Sequence, residues 1–124
     1  MIIDDLYQEV ILEEYAHPKN KGKLEDFDVQ LAERNASCGD QIEVFLKFDE
    51  HDLVSGVSWL GVGCAISMAT ASVLSEAIKG KSKAEITQLS MADLEAMVGI
   101  TEITPSRQKC LLLALTAYQK AVKA

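Results

Sequence analysis

The sequence has no apolar run of the roughly 18–20 residues that would span a bilayer, so no membrane association is expected. Its first residues, Met1-Ile2-Ile3-Asp4-Asp5, carry neither a basic n-region nor an apolar h-region. A signal peptide is therefore not expected, and a reducing, cytoplasmic setting is. Positive charge is scarce: 12 Lys and Arg stand against 19 Asp and Glu, for a net charge of −7. With no dense Lys/Arg stripe to offset it, an acidic surface repels phosphate backbones and argues against a nucleic-acid partner. Internal repeats, low-complexity tracts and linker-like stretches are also missing, so residues 1–124 read as one domain. There are only three cysteines and no C-x-x-C pair. An odd number in a reducing compartment makes a disulfide framework a poor reading, and leaves metal binding, redox chemistry or plain burial.

What is present is ordinary globular material, 48% hydrophobic and 25% charged. Apolar residues at helical spacing predict a helix over 4–16, with Asp4 as N-cap and Pro18 as stop. Its stripe, with Tyr7 and Tyr15, is expected to pack on the domain's own sheet. The loop from His17 to Lys23 is the most concentrated positive stretch. Its lysines 19, 21 and 23 read as a solvated charged loop, or as a contact for an acidic patch on another protein. Residues 29–34 predict a first strand. Residues 41–48 predict a second, with Ile42, Val44, Leu46 and Phe48 on one face. Residues 53–62 predict the return strand, with a bulge at Gly56. Helices follow over 65–79, ending at Gly80, over 83–87, over 91–98, ending at Gly99, and from Pro105 to about Ala121. Strands come first and most helices later, which predicts an α+β fold with helices covering one face of an antiparallel sheet.

Each cysteine falls at an element boundary. Cys38 lies in the loop Asn35-Ala36-Ser37-Cys38-Gly39-Asp40, before a strand. Cys64 follows Gly61 and Gly63 at a helix N-terminus, where the helix dipole favours thiolate. Cys110 lies in the second turn of the last helix. Cys38 and Asp40 are two apart, so in an extended segment they project to the same side. Gly39 between them frees the backbone to bend around an ion. Three thiolates and one carboxylate complete a tetrahedral shell for zinc, and thiolate-rich sites also suit iron–sulfur clusters. The competing reading is three inert core cysteines. A zinc hydrolase or deaminase would need an open coordination position and a general base, and no H-x-E pairing is present.

The same segments resemble the U-type iron–sulfur cluster assembly scaffolds. Asn35-Ala36-Ser37-Cys38-Gly39-Asp40 is similar to their N-P-x-C-G-D signature. Gly61-Val62-Gly63-Cys64-Ala65-Ile66-Ser67 resembles the second cysteine motif in its SufU-like form, and Arg107-Gln108-Lys109-Cys110 the third. His17-Pro18-Lys19-Asn20-Lys21-Gly22 resembles the family's H-P-R-N-x-G loop, and Lys79-Gly80-Lys81 its K-G-K. The resemblance implies a three-stranded antiparallel sheet with helices packed on it. It implies metal ligands Cys38, Asp40, Cys64 and Cys110, holding zinc or a [2Fe–2S] cluster. It implies sulfur received at Cys38 from a cysteine desulfurase of the SufS or IscS kind, and transfer of clusters to apoproteins. Such a protein is a scaffold or sulfur acceptor, working with the desulfurase rather than as a stand-alone enzyme.

Four departures shape the expectation. Ala36 replaces the usual proline. Lys109 stands where IscU-like members carry histidine. The L-P-P-V-K segment read by a dedicated Hsp70-type chaperone is absent, so that partner is not implied. The interval from Cys64 to Cys110 is too short for the insertion usual in SufU-like members. Arg107 and Lys109 are cations beside Cys110, suited either to supporting a thiolate or persulfide or to a solvated helix face. The alternative for the whole site is a structural zinc-binding interaction module, which would unfold on chelation.

Overall fold

Residues 40–48 alternate a regular apolar face with one further apolar residue, Phe45, on the opposite face. Only a central strand with cover on both sides can bury both. The structure is a computed structural model that describes residues 5–35, 39–99 and 105–124, with the side chains of 5–8, 106 and 107 outside that description. It places that segment, β2 (Asp40–Phe48), between β1 (Val29–Asn35) and β3 (Val54–Val62) in an antiparallel sheet of order β1-β2-β3. Ile42, Val44 and Leu46 are buried on the inner face. Phe45, on the outer face, meets Phe27 edge-on at 5.4 Å. A bulge is present one residue before the expected Gly56: Lys47 pairs with Gly56 and Phe48 with Val54, leaving Ser55 as the extra residue.

Five helices complete the fold: α1 (Asp5–Ala16), α2 (Ala65–Ala77), α3 (Lys83–Thr87), α4 (Met91–Val98) and α5 (Pro105–Lys123). Their ends follow the expected signals. Gly80 and Gly99 take left-handed φ of 80° and 74° past helix ends, and Ser82 and Ser90 form capping boxes with Glu85 and Asp93. α5 lies against β1 and β2 and buries Leu111, Ala114, Leu115, Tyr118 and Val122. α2 is buried along nearly its whole length, which its run of Ala, Ser and Thr permits by letting neighbours approach closely. Met68 is buried, while Met91 and Met97 are partly buried against the core, all as gap-filling side chains. Among the described residues, no helix is long and apolar enough to cross a membrane.

Two expectations are corrected. α1 packs on α2 and α4, not on the sheet; Ile11 is buried, but Tyr15 is 52% exposed and Leu12 63%. α2 and α4 cover the Ile11 side of α1, so Leu12 and Tyr15 on its other sides stay exposed. The loop after α1 is also more than a solvated charged segment. Lys19 Nζ donates to both carboxylate oxygens of Glu14, at 2.6 and 2.7 Å, and Glu14 is buried. Lys19 N–H donates to Ser72 Oγ at 2.7 Å, and Trp59 Nε1–H donates to Lys19 O at 2.9 Å. Asn20, at a left-handed φ of 61°, donates to Ser75 and Glu76. Lys21 lies 5.6 Å over the Trp59 ring. The loop thus clamps α1 to α2 and to the β3 edge. Asp4, Tyr7 and Thr104 lie outside the described side chains.

Candidate metal centre

Three elements end at the same corner of the sheet. Asp40 is the first residue of β2, paired with Asn35 at the end of β1. Cys64 is the N-cap of α2, two residues past the end of β3. Cys110 faces the same corner from α5. One ligand atom from each of Asp40, Cys64 and Cys110 lies within 4.8 Å of the others. A tetrahedral zinc with Zn–S of about 2.3 Å holds its sulfurs about 3.8 Å apart, so small adjustments bring this set into a first shell. Two soft sulfurs and a hard oxygen suit zinc or iron.

Asp40 is only 4% exposed, and a carboxylate that deep needs donors. Ser67 Oγ–H donates to Asp40 Oδ2 at 2.5 Å, and Cys64 N–H donates to Oδ1 at 3.3 Å. Ser67 Oγ also lies 3.5 Å from Cys64 Sγ and 3.3 Å from the Cys110 carbonyl oxygen. One hydroxyl therefore touches all three converging residues. Ser67 stands one turn after Cys64, at the i,i+3 spacing that places both on one helix face. That spacing is the signal by which the sequence could have shown its role.

Gly63 makes the room. A Cβ there would lie 2.8 Å from Asp40 Cγ and 3.0 Å from Oδ1, closer than side chains approach. Gly39 adopts a left-handed φ of 73°, as expected of a residue that turns the chain into the site, and its N–H donates to Asn35 O at 2.9 Å. Cys38 lies outside the described residues, as does the side chain of Arg107. Lys109 is exposed and lines a cleft with Glu33, Arg34 and Asn35, between α5 and the end of β1. Of the expected site residues, Asp40, Cys64 and Cys110 are together, Gly39 adjoins them, and Ser67 and Gly63 join the group.

The NifU-like N terminal domain family profile matches residues 6–124. The chain is 35% identical to the zinc-dependent sulfurtransferase SufU of Bacillus subtilis, over 97% of this chain and 91% of that one. It is 32% identical to the iron–sulfur cluster assembly scaffold protein IscU of Streptococcus pyogenes, over 98% of this chain and 85% of that one. A crystal structure from thermophilic Fervidobacterium islandicum AW-1, described as an iron–sulfur cluster assembly scaffold protein for the SUF system, superposes with a TM-score of 0.80. It covers 94% of this chain and 96% of its own, at 29% identity.

Proposed function

Because the chain belongs to the family of NifU-like N-terminal domains, we infer that it works in iron–sulfur cluster assembly, as a metal-binding sulfur acceptor. Residues 1–124 form its single domain, and Cys38, Asp40, Cys64 and Cys110 are the ligand set. The observation that carries this reading is the convergence of Asp40, Cys64 and Cys110 around one hydroxyl, with the carboxylate buried. Zinc, when bound, holds the cysteines as thiolates and withdraws charge from the buried site.

The chain's own residues then do the following. Ser67 and the Cys64 amide fix the carboxylate of Asp40, so its orientation does not depend on the ion. Cys38 is the sulfur acceptor of this reading, by the resemblance of Asn35-Ala36-Ser37-Cys38-Gly39-Asp40 to the family signature. Its thiolate attacks the outer sulfur of a persulfide on a cysteine desulfurase. The sulfur–sulfur bond of the donor breaks, its cysteine leaves as thiolate, and a persulfide forms on Cys38. No external oxidant is consumed. The similarity to IscU supports the same pocket as the place where a [2Fe–2S] cluster is assembled as cargo for apoproteins. Lys109, exposed one residue before Cys110, is a cation suited to the approach of an anionic group.

Incubating the zinc-loaded protein with a cysteine desulfurase and cysteine should add sulfur, visible by intact mass, and Cys38→Ala should take up none. Absence of any adduct on the wild-type chain would overturn the acceptor reading. Chelation separates it from a purely structural zinc module: the far-ultraviolet circular dichroism should survive metal removal, because the core of Val44, Trp59, Leu74 and Leu111 is built without the site.

A further inference from the structure

The outer edge of β3 is covered over part of its length only. Asn20 O accepts from Trp59 N–H at 3.1 Å, and Gly22 N–H donates to Trp59 O at 2.8 Å. Lys21 is thus bridged to Trp59 in parallel. The chain then turns away at Gly22, where φ is 149°. In an antiparallel pair, alternate residues direct their backbone groups to the same side. Trp59 and Gly61 pair with Val44 and Ile42 without an intervening bulge. The N–H and C=O of Gly61 therefore point outward, as those of Trp59 do. Among the described residues nothing bonds to them.

Hollows flank this free stretch on both faces of the sheet. On the inner face, Tyr15, Pro18, Trp59 and Met68 line one. On the outer face, Ala32, Glu43 and Leu60 line the other. Lys21, Gly61 and Val62 border both. Val62 is 68% exposed. An open backbone edge with a hollow on each side is what an added strand requires: its main chain bonds to the edge, and its alternate side chains drop to opposite faces. The edge also leads directly to Gly63 and Cys64, where Gly63 abuts Asp40.

We propose that the β3 edge at Leu60–Val62 is a strand-addition site for the cysteine-bearing segment of the sulfur donor. This rests on the sulfur-acceptor reading above. The segment is extended, with an apolar side chain against Tyr15 and Pro18 and a carboxylate within reach of Lys21, among the described residues the one cation bordering both hollows. A second copy of this chain is the weaker occupant. One residue offers only two backbone hydrogen bonds, too few for a lasting edge-to-edge dimer and adequate for a transient delivery complex. The edge would lay the donor segment along β3 and bring its end to the corner where the ligands meet.

The test uses the zinc-loaded full chain with a cysteine desulfurase, without cysteine. Amide hydrogen exchange at single-residue resolution should show Gly61 exchanging freely in the protein alone and at least about tenfold more slowly in the complex. In sulfur transfer with cysteine present, Val62→Lys should raise the KM for this protein about tenfold with kcat retained, a loss of roughly 1.4 kcal/mol in docking. An unchanged Gly61 rate in the complex, or an unchanged KM for Val62→Lys, while the wild type still takes up sulfur, overturns the edge proposal alone. Protection of Gly61 that appears with protein concentration, without desulfurase, assigns the edge to a second copy and overturns it as well. Absence of sulfur uptake by the wild type overturns the acceptor reading beneath it.

Discussion

Ser67 donates its hydroxyl hydrogen to Asp40 Oδ2 at 2.5 Å across the corner between α2 and β2. Together with the longer bond from Cys64 N–H to Oδ1, it joins the two elements at the point where a metal would bridge them. In the metal-free protein it carries part of the load of a carboxylate that is almost wholly out of water. Ser67→Ala should therefore destabilise the metal-free form by about 1–3 kcal/mol, the range for a charged group deprived of a buried donor. The zinc-loaded form should lose less, since the ion partners the same carboxylate. Urea denaturation with and without chelator checks the difference; equal losses in both forms would confine Ser67 to packing.

Gly63 offers a complementary perturbation. A methyl group there would press on Asp40 Cγ from 2.8 Å. Gly63→Ala should move the carboxylate out of register and lower zinc affinity at least about tenfold, or roughly 1.4 kcal/mol. Competition with a chromophoric chelator measures this. Retained affinity would mean that Asp40 moves freely and is not held for the ion.

Much of this was legible in the residues. The period-2 pattern of 41–48, Gly80 and Gly99 past helix ends, and Pro105 at a helix start gave every element within a few residues. Cys64 and Cys110 were identified as site residues from their positions at element ends, with Asp40 added through Cys38-Gly39-Asp40. Cys38 itself lies outside the described residues. Ser67 was hidden because one serine among Ala65, Ser67, Ala69, Ala71 and Ser72 reads as a small residue for close packing. Its role depends on Asp40, 27 positions earlier. The lysine loop misled for a similar reason. Charge in a turn reads as solvated, and only the fold brings the buried Glu14 and Ser72 to Lys19.

That loop gives a pH prediction. The Asn20 side chain first, and Lys79 next, hold Glu76 below its ordinary value of 4.5. Its folded-state value is depressed, so its stabilisation is present above pH 4.5 and is lost as pH falls through the lower folded value. Asn20→Ala removes the larger cause, the bond to Ser75 and a residue tolerant of left-handed φ. The lost Ser75 bond and the left-handed φ should cost about 1–2 kcal/mol at any pH, and the lost Glu76 contact adds to this near neutrality. The gap between variant and wild type should narrow as pH drops below the ordinary carboxylate value. Denaturant titrations across acid pH follow it; a constant gap would remove Glu76 from the account.

Tyr118 presents the opposite case, a polar group whose removal should help. Its side chain is fully buried in α5, and its hydroxyl has no hydrogen-bond partner among the described residues. Burial pushes its pKa well above the usual tyrosine range, so the phenol stays neutral at any working pH. An unsatisfied buried hydroxyl costs about 1–3 kcal/mol, while the ring supplies the apolar contacts of the core. Tyr118→Phe keeps the ring and deletes the hydroxyl. It should raise stability by about 1 kcal/mol, which for a domain of this size lifts Tm by roughly 3–6 °C. The metal corner is reached from α5 through Cys110, two helical turns earlier, so zinc affinity should be unchanged. Thermal unfolding of the metal-free and zinc-loaded forms checks both statements. A loss of stability in Tyr118→Phe would mean that the hydroxyl is satisfied by an internal water, which the cavity left by its removal would then leave stranded.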